Sequence, residues 1–218
     1  MKKAVLFIAI TLFTFNGFAQ GFGINAAYNM ANMKLLDEGG LYYNEDFQHQ
    51  SSIKSIGFGI NYDYKISENL FIGGGINYVT KGYIITFEDE NENGGDLIAT
   101  YKLNYLDVPI MVKYNYEIGD DIFLYGKFGP SIGFNLGGSV SSNDNNQYYN
   151  YELEFKDGKS QDFRSGDFGL NFSAGILYNN FEVGINYFSG TKNLAIRQNE
   201  DFKHKVFSLV VGYRFNLE

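Results

Sequence analysis

LDVPIMVKYNYEIGDDIFLYGKFGPSIGFNL, residues 106–136, holds two runs of alternating residues on either side of a turn. In the first run Leu106, Val108, Ile110, Val112, Tyr114 and Tyr116 share one face, with Asp107, Lys113 and Asn115 on the other. In the second, Leu124, Phe128, Ile132, Phe134 and Leu136 oppose Lys127, Ser131 and Asn135. A repeat of two is the period of an extended strand, whose successive side chains point to opposite sides. Gly119-Asp120-Asp121 between the runs is a tight-turn signal, so the stretch reads as an antiparallel hairpin.

Six further segments alternate in the same way, at about 22–33, 53–66, 70–87, 167–178, 181–187 and 207–215. Ser67-Glu68-Asn69 and Asn179-Asn180 supply two more tight turns. The other joins, at about 34–52, 88–96, 139–166 and 189–203, are long and polar. Short turns at one end and long loops at the other predict an all-β fold, an eight-stranded antiparallel up-and-down transmembrane β-barrel. An even strand number puts both chain ends at the short-turn end.

Composition agrees. The chain has 18 Tyr, 21 Phe and 26 Gly against 2 Pro, which suits a sheet that must curve and close rather than a helical bundle. With no Cys there is no disulfide framework and no thiolate metal site. The formal charge of −8 disfavours nucleic acid, whose phosphates need clustered Lys and Arg. Residues 1–19 read as a cleaved targeting segment: Lys2 and Lys3, an apolar stretch from Ala4 to Phe15, then Gly17-Phe18-Ala19. Cleavage after Ala19 leaves a single barrel domain, 20–218. The apolar stretch is short against the ~20 residues of a spanning helix. No later run of 18 apolar residues exists, which excludes helical spans but not barrel strands.

The height of the aromatic residues separates a membrane barrel from a soluble one. Near the short turns the apolar face carries Tyr62, Tyr64, Tyr114, Tyr116, Tyr178, Tyr213 and Phe215, with Phe22 and Phe181. Toward the long loops come Tyr28, Tyr78, Phe134, Phe168, Tyr187 and Phe207, and between the two groups lie mainly Leu, Ile, Val and Ala. Two aromatic girdles around an aliphatic band are what two membrane interfaces select. The expected location is the outer membrane of a Gram-negative bacterium with both termini periplasmic. The expected partners are membrane lipid, lipopolysaccharide and the barrel-insertion machinery, with protein partners at the extracellular loops.

The opposite face carries Asp63, Asp107, Lys113, Lys127, Glu182 and Arg214 among Asn61, Asn77, Asn115, Asn135 and Asn186. Eight strands enclose a space that side chains just fill. The charges therefore read as a structural pairing network in the lumen, with a solute path or proton relay as the alternative. No catalytic, cofactor or metal site is expected, and the protein reads as non-enzymatic. A lipid-modifying enzyme is the competing reading, carried by His49 with Ser51 and Ser52, or by His204 with Asp201, against solvent-exposed loop histidines. Glu88-Asp89-Glu90-Asn91-Glu92 offers oxygens to Ca²⁺ or is a solvated hairpin tip. Tyr148-Tyr149-Asn150-Tyr151 is a recognition candidate, or else part of a hairpin raised above the membrane. Gly73-Gly74-Gly75 relieves crowding in a curved wall. Pro109 and Pro130 nearly face each other across the turn, which predicts a paired irregularity or bulge.

Tyr105-Leu106-Asp107-Val108-Pro109-Ile110, followed by Lys113-Tyr114, resembles the Tyr-Leu-Glu-Ile-Pro stretch of the Bacteroidota outer-membrane β-barrel domain family, the PorT-like or "porin family" proteins. Gly126 to Pro130 is similar to that family's next strand, and Val210 to Phe215 to its closing strand. Cleavage before Gln20 fits the same group. The tail departs from it, because Asn216-Leu217-Glu218 follow the last aromatic residue. The resemblance implies an outer-membrane location and, for PorT itself, a part in protein secretion. No residue here carries that role over.

Overall fold

Residues that alternate large apolar with small or polar can satisfy two environments only if the strand they form separates them. The computed structural model describes residues 20–37, 48–87, 97–144, 147–153, 163–196 and 200–217, and in it every such segment is a strand. They are β1 (Gln20–Asp37), β2 (Gln48–Ser51), β3 (Ile53–Lys65), β4 (Leu70–Phe87), β5 (Leu97–Gly119), β6 (Ile122–Asp144), β7 (Gln147–Leu153), β8 (Gly166–Tyr178), β9 (Phe181–Gly190) and β10 (Glu200–Leu217). The targeting segment and the acidic run at 88–92 lie outside the described residues.

Eight of the ten strands close a ring. Around it run β1, β3, β4, β5, β6, β8, β9 and β10, all neighbours antiparallel, with β10 returning to β1. The expected eight-stranded barrel is therefore present, and two short strands add to it. β2 prolongs the line of β3 along β4 with a one-residue change of register between Ser51 and Phe58, since Ser51 faces Ile84 and Phe58 faces Tyr78. β7 folds back on the far end of β6, from Asp144↔Gln147 to Gly138↔Leu153. Within the 139–166 join, the described residues up to Leu153 form a hairpin. β10 likewise starts at Glu200, inside the expected loop at 189–203.

The three tight turns fall where the sequence put them. Asp121 and Asn179 adopt positive φ of 59° and 50°, the conformation that short hairpin turns demand and that Asn and Asp tolerate. Gln20 faces Leu217 in the β1–β10 ladder, so both described ends sit at the short-turn end.

The large apolar face points outward. Ile56 and Phe58 are 72% and 62% exposed, and Leu124, Phe128, Ile132, Phe134 and Leu136 line the outside of β6. From Leu124 to Leu136 is about twelve steps of ~3.3 Å, and a strand tilt of ~40° turns that length into ~30 Å of height. That is the thickness of a bilayer's hydrocarbon core.

The prolines act more locally than expected. The β5–β6 ladder runs to Pro109↔Ser131 and resumes at Val112↔Phe128 in unchanged register. The β4–β5 ladder breaks between Gly74↔Ile110 and Asn77↔Asp107, also without a shift. Each missing N–H removes rungs but inserts no residue, so neither proline makes a bulge. The two register shifts of this ladder lie away from the prolines, one beside the turn between Glu117 and Gly119 and one higher, between Asn104 and Tyr105. There Gly137 takes φ +136° and its N–H donates to Asn135 Oδ1 at 2.7 Å. Beside the prolines the backbones close up instead, and a methyl group at Gly129 would collide with the Ile110 carbonyl.

Gly129→Ala should therefore destabilise the barrel by about 1–3 kcal/mol, the usual cost of overpacking. Gly126→Ala, where a Cβ meets nothing within 4 Å, is the contrast and should change little. The urea midpoint of each variant in lipid bilayers measures both.

Candidate functional site in the barrel lumen

Inward-pointing side chains build two charged layers at different heights. The lower layer, toward the short turns, begins with Lys113 on β5 and Lys127 on β6, which face each other in the ladder. Their ammonium groups stand 5.2 Å and 4.7 Å from the Tyr125 ring centre. Glu182 on β9 binds Lys127 at 2.5 Å through Oε1 and Arg214 Nε at 3.2 Å through Oε2. The Arg214 guanidinium also pairs with Asp63 on β3. Lys113 sits further from both acids, 3.5 Å from Asp63 and 3.8 Å from Glu182. Five of the six lumen charges singled out from sequence thus meet here.

The sixth, Asp107, belongs to the upper layer. One row of the wall carries Asn77, Asp107, Gly133 and Asp167 side by side. Gly133 leaves room for the two flanking carboxylates, since a Cβ there would stand 2.6 Å from Asp107 Oδ1 and 3.1 Å from Asp167 Cβ. Both acids converge on Lys81 of β4, at 2.9 Å each. The Lys81 ammonium lies 3.9 Å from the Phe188 ring centre and 4.7 Å from that of Tyr105, a close cation–π arrangement. His204 completes the layer, with Nδ1 3.1 Å from Asp167 Oδ2.

His204 corrects the sequence reading. It is not an exposed loop residue but an inward-facing member of β10, 0% exposed. Asp201, its expected companion, pairs with Lys203 at 2.5 Å. His49 lies on β2 opposite Thr86, with Ser51 and Ser52 exposed beside it. Lys81, Asp167 and Tyr105 were not placed in the lumen from sequence. The signal available was parity: Val79, Lys81 and Tyr83 continue the inward register of β4.

Above the upper layer the lumen turns apolar. Met33, Val79, Tyr83, Leu103, Tyr105, Val140 and Leu153 pack with Phe163 and Leu194, which come from connections rather than strands. Leu194 is tied to the wall by its N–H, which donates to Phe202 O at 2.9 Å. Its carbonyl accepts from Arg164 N–H at the same distance. Between the layers lies a cavity of about 150 Å³, bordered by Asn25, Asn61, Asn77, Asn171, Ser173 and Asn186. Among the described residues no group of three or more His, Cys, Asp or Glu is arranged to hold a metal ion.

On the outside, four of the girdle residues near the short turns form a ring-to-ring cluster. Phe181 meets Tyr213 at 5.1 Å between centroids, Tyr213 meets Phe215 at 4.9 Å and Phe215 meets Phe22 at 5.9 Å. Tyr114, Tyr116 and Tyr178 are exposed, and Tyr62 and Tyr64 are half-buried at the same end.

Residues 16–195 match the family model described as outer membrane protein beta-barrel domain. The chain belongs to that family. It is an outer-membrane β-barrel protein, so the apolar outer face meets lipid. Among solved structures it is similar to Ail, the attachment invasion locus protein of Yersinia pestis, at 18% identity and a TM-score of 0.43, covering 91% of this chain and 100% of that one. It is also similar to OprG from Pseudomonas aeruginosa, at 13% identity and a TM-score of 0.48, covering 91% and 97%. The outer membrane enzyme PagL matches at 12% identity and a TM-score of 0.39, covering 88% and 98%. No curated protein matches the chain.

Replacing Lys81 by Met leaves Asp107 and Asp167 buried without their cation. The expected loss is about 3–5 kcal/mol, the cost of breaking a buried ion pair from one side. Lys203→Met removes a partly exposed pair and should cost less than about 1 kcal/mol. Urea titration of the two variants side by side checks the difference.

Proposed function

We propose that this is a non-enzymatic outer-membrane barrel with a closed lumen, acting structurally or through its extracellular loops in surface interaction or secretion-associated assembly. The observation that carries the reading is the stack in the lumen: two ion-pair layers below an apolar plug, in an eight-stranded wall. Charges that bind one another and apolar side chains that bind one another leave little for a substrate. The raised β6–β7 hairpin is the feature best placed for recognition, with Tyr148 82% exposed at its tip. Tyr presents a large, stiff, amphipathic surface at low entropic cost.

The resemblance in Tyr105 to Ile110 and in Val210 to Phe215 supports membership of the PorT-like group of Bacteroidota barrels. In this reading the short turns and both termini are periplasmic and the hairpin stands on the cell surface. The girdle side chains contact membrane lipid and lipopolysaccharide, and the strands are inserted by the barrel machinery. The six lumen charges first singled out serve structure rather than turnover. A narrow pore for small solutes is the second reading, favoured by the cavity between the layers.

Removing residues 141–152 and joining the ends with a short turn should leave a barrel that still shows heat-modifiable gel mobility. It should also lose the surface or periplasmic proteins that co-purify with the tagged wild type. An unchanged set of co-purifying proteins would count against recognition by the hairpin. In planar bilayers the wild type should give no discrete conductance steps, and regular steps would favour the pore.

A further inference from the structure

Lysines on the outside of the wall gather on one side of the barrel. Toward the long loops, Lys54 of β3, Lys34 of β1 and Lys203 and Lys205 of β10 stand on three neighbouring strands. Lys34 faces Lys203 in the ladder, Asn32 faces Lys205, and Met30 faces both Lys54 and Phe207. All four lysines point away from the lumen, since Met33, Ile53, His204 and Val206 beside them in the chain are buried inside. Lys34, Lys54 and Lys205 are exposed and Lys203 is half-buried. On the other five ring strands, Lys102 is the one outward-facing cation among the described side chains.

Like charges placed opposite each other in a ladder are destabilising. One carboxylate answers these four ammonium groups: Asp201, which pairs with Lys203 at 2.5 Å. No other described side chain on the outer face of the three strands is acidic, and Lys34, Lys54 and Lys205 make no ion pair among the described residues. Positive charge is thus concentrated here in a chain whose formal charge is −8. Asn32, between the lysines, adds a donor. Its Oδ1 accepts from Gln50 Nε2 at 2.7 Å and from its neighbour's N–H, that of Met33, at 2.8 Å, so the NH2 end of the amide is the part left to a ligand. Directly below, Tyr28, Ile56 and Leu209 form the next row of the same face, all exposed. Two positions along a strand are ~7 Å, or ~5 Å in height at a tilt of ~40°. The lysines therefore occupy ~10 Å immediately above lipid-facing wall, where headgroups lie.

We propose that this face of β3, β1 and β10 docks a phosphorylated glycolipid of the outer leaflet. Its phosphates lie on the four lysines and the Asn32 amide, and its acyl chains run down over Tyr28, Ile56 and Leu209. An occupant of the whole face has to be anionic at the level of the lysines and apolar beneath them, which a lipid is and a free anion is not. Lysine suits the headgroup because its ammonium is a compact charge on a flexible stem, able to follow a phosphate without fixed geometry. Each lysine near an anionic lipid surface strengthens association about fivefold. The inference names a site for the lipid contact proposed above, and it rests on the orientation of that reading, with the long-loop end at the cell surface.

The test is binding to the purified mature barrel in uncharged detergent micelles, followed by native mass spectrometry. The probes are lipid A, dephosphorylated lipid A and inorganic phosphate. Lipid A should bind at least about tenfold tighter than either of the others, the scale of two lysine contacts. The triple variant Lys34→Gln, Lys54→Gln, Lys205→Gln should lose at least about tenfold in lipid A affinity, and Lys65→Gln, at the short-turn end, should bind as the wild type does. Native folding of both is checked by heat-modifiable mobility. Dephosphorylated lipid A or inorganic phosphate binding as tightly as lipid A would overturn the proposal. So would wild-type affinity in the folded triple variant, or no binding of lipid A at all. Orientation is read separately. Tyr148→Cys, in a chain with no other Cys, should react with a membrane-impermeant maleimide on intact cells. Absence of labelling would overturn the orientation, and with it the assignment to the outer leaflet, even where lipid A binds in micelles. The two failures are therefore distinguishable.

Discussion

Backbone hydrogen bonding in the absence of water is the constraint from which the rest of this structure follows. A strand that faces hydrocarbon has no solvent to satisfy its N–H and C=O groups, so every edge must be paired. Here β1 and β10, the first and last strands, pair along their whole length, from Gln20↔Leu217 to Asp37↔Glu200. That ladder turns an open sheet into a ring and brings both described ends together. Two prolines test the rule, since each removes a donor from the wall. The gaps they leave lie beside glycines, and a Cβ at Gly74 would stand 3.2 Å from the Pro109 carbonyl. The backbones approach closely at these gaps, and the ladders resume on either side in the same register.

Closing only eight strands makes the interior narrow, and narrowness dictates its composition. Large inward side chains lie where the neighbouring strand has none. Asn61 covers Gly23, Asn77 covers Gly59, Asp63 covers Gly73, and the Tyr125 hydroxyl fills the space over Gly184. Glycines thus position the polar groups as firmly as any hydrogen bond, and Gly133 does so most plainly by letting Asp107 and Asp167 share Lys81. Buried ion pairs of this kind add little net stability over apolar packing. Their effect is to fix which side chains cross the lumen and at what height.

The period of two made the wall legible in sequence, because lipid outside and polar groups inside give a strand two contrasting faces. The same contrast explains what was missed. Toward the long loops the interior becomes apolar, and Tyr83, Leu103, Tyr105 and Val140 point inward although each looks like an outward residue. Alternation of polarity fades there while alternation of direction continues. Lys81 and His204 sit in that zone, so their inward parity was masked by apolar neighbours such as Val79, Tyr83 and Val206. The shift at Asn104/Tyr105 compounds this by offsetting the pairing of β5 with β6. Asp107 is buried on β5, while the ammonium it binds comes from β4 and the second acid on that ammonium from β8. No spacing along one strand reveals a pairing made through register across three.

A closed ring also limits where change can occur. The wall cannot open without breaking lipid-facing hydrogen bonds, so any rearrangement of the lumen must come from side chains or from connections. The two ends differ in this respect. At the short-turn end the lumen is crossed by Lys113, Lys127, Glu182, Arg214 and Asp63, all rooted in strands. At the other end the apolar plug borrows Phe163 and Leu194 from connections, and Leu194 is anchored through two backbone hydrogen bonds. The fixed end is held by charge and the adjustable end by apolar contact, which is the weaker restraint on direction because apolar packing is non-directional. The layers thus fix their side chains by charge and direction, and the plug holds its own by packing alone.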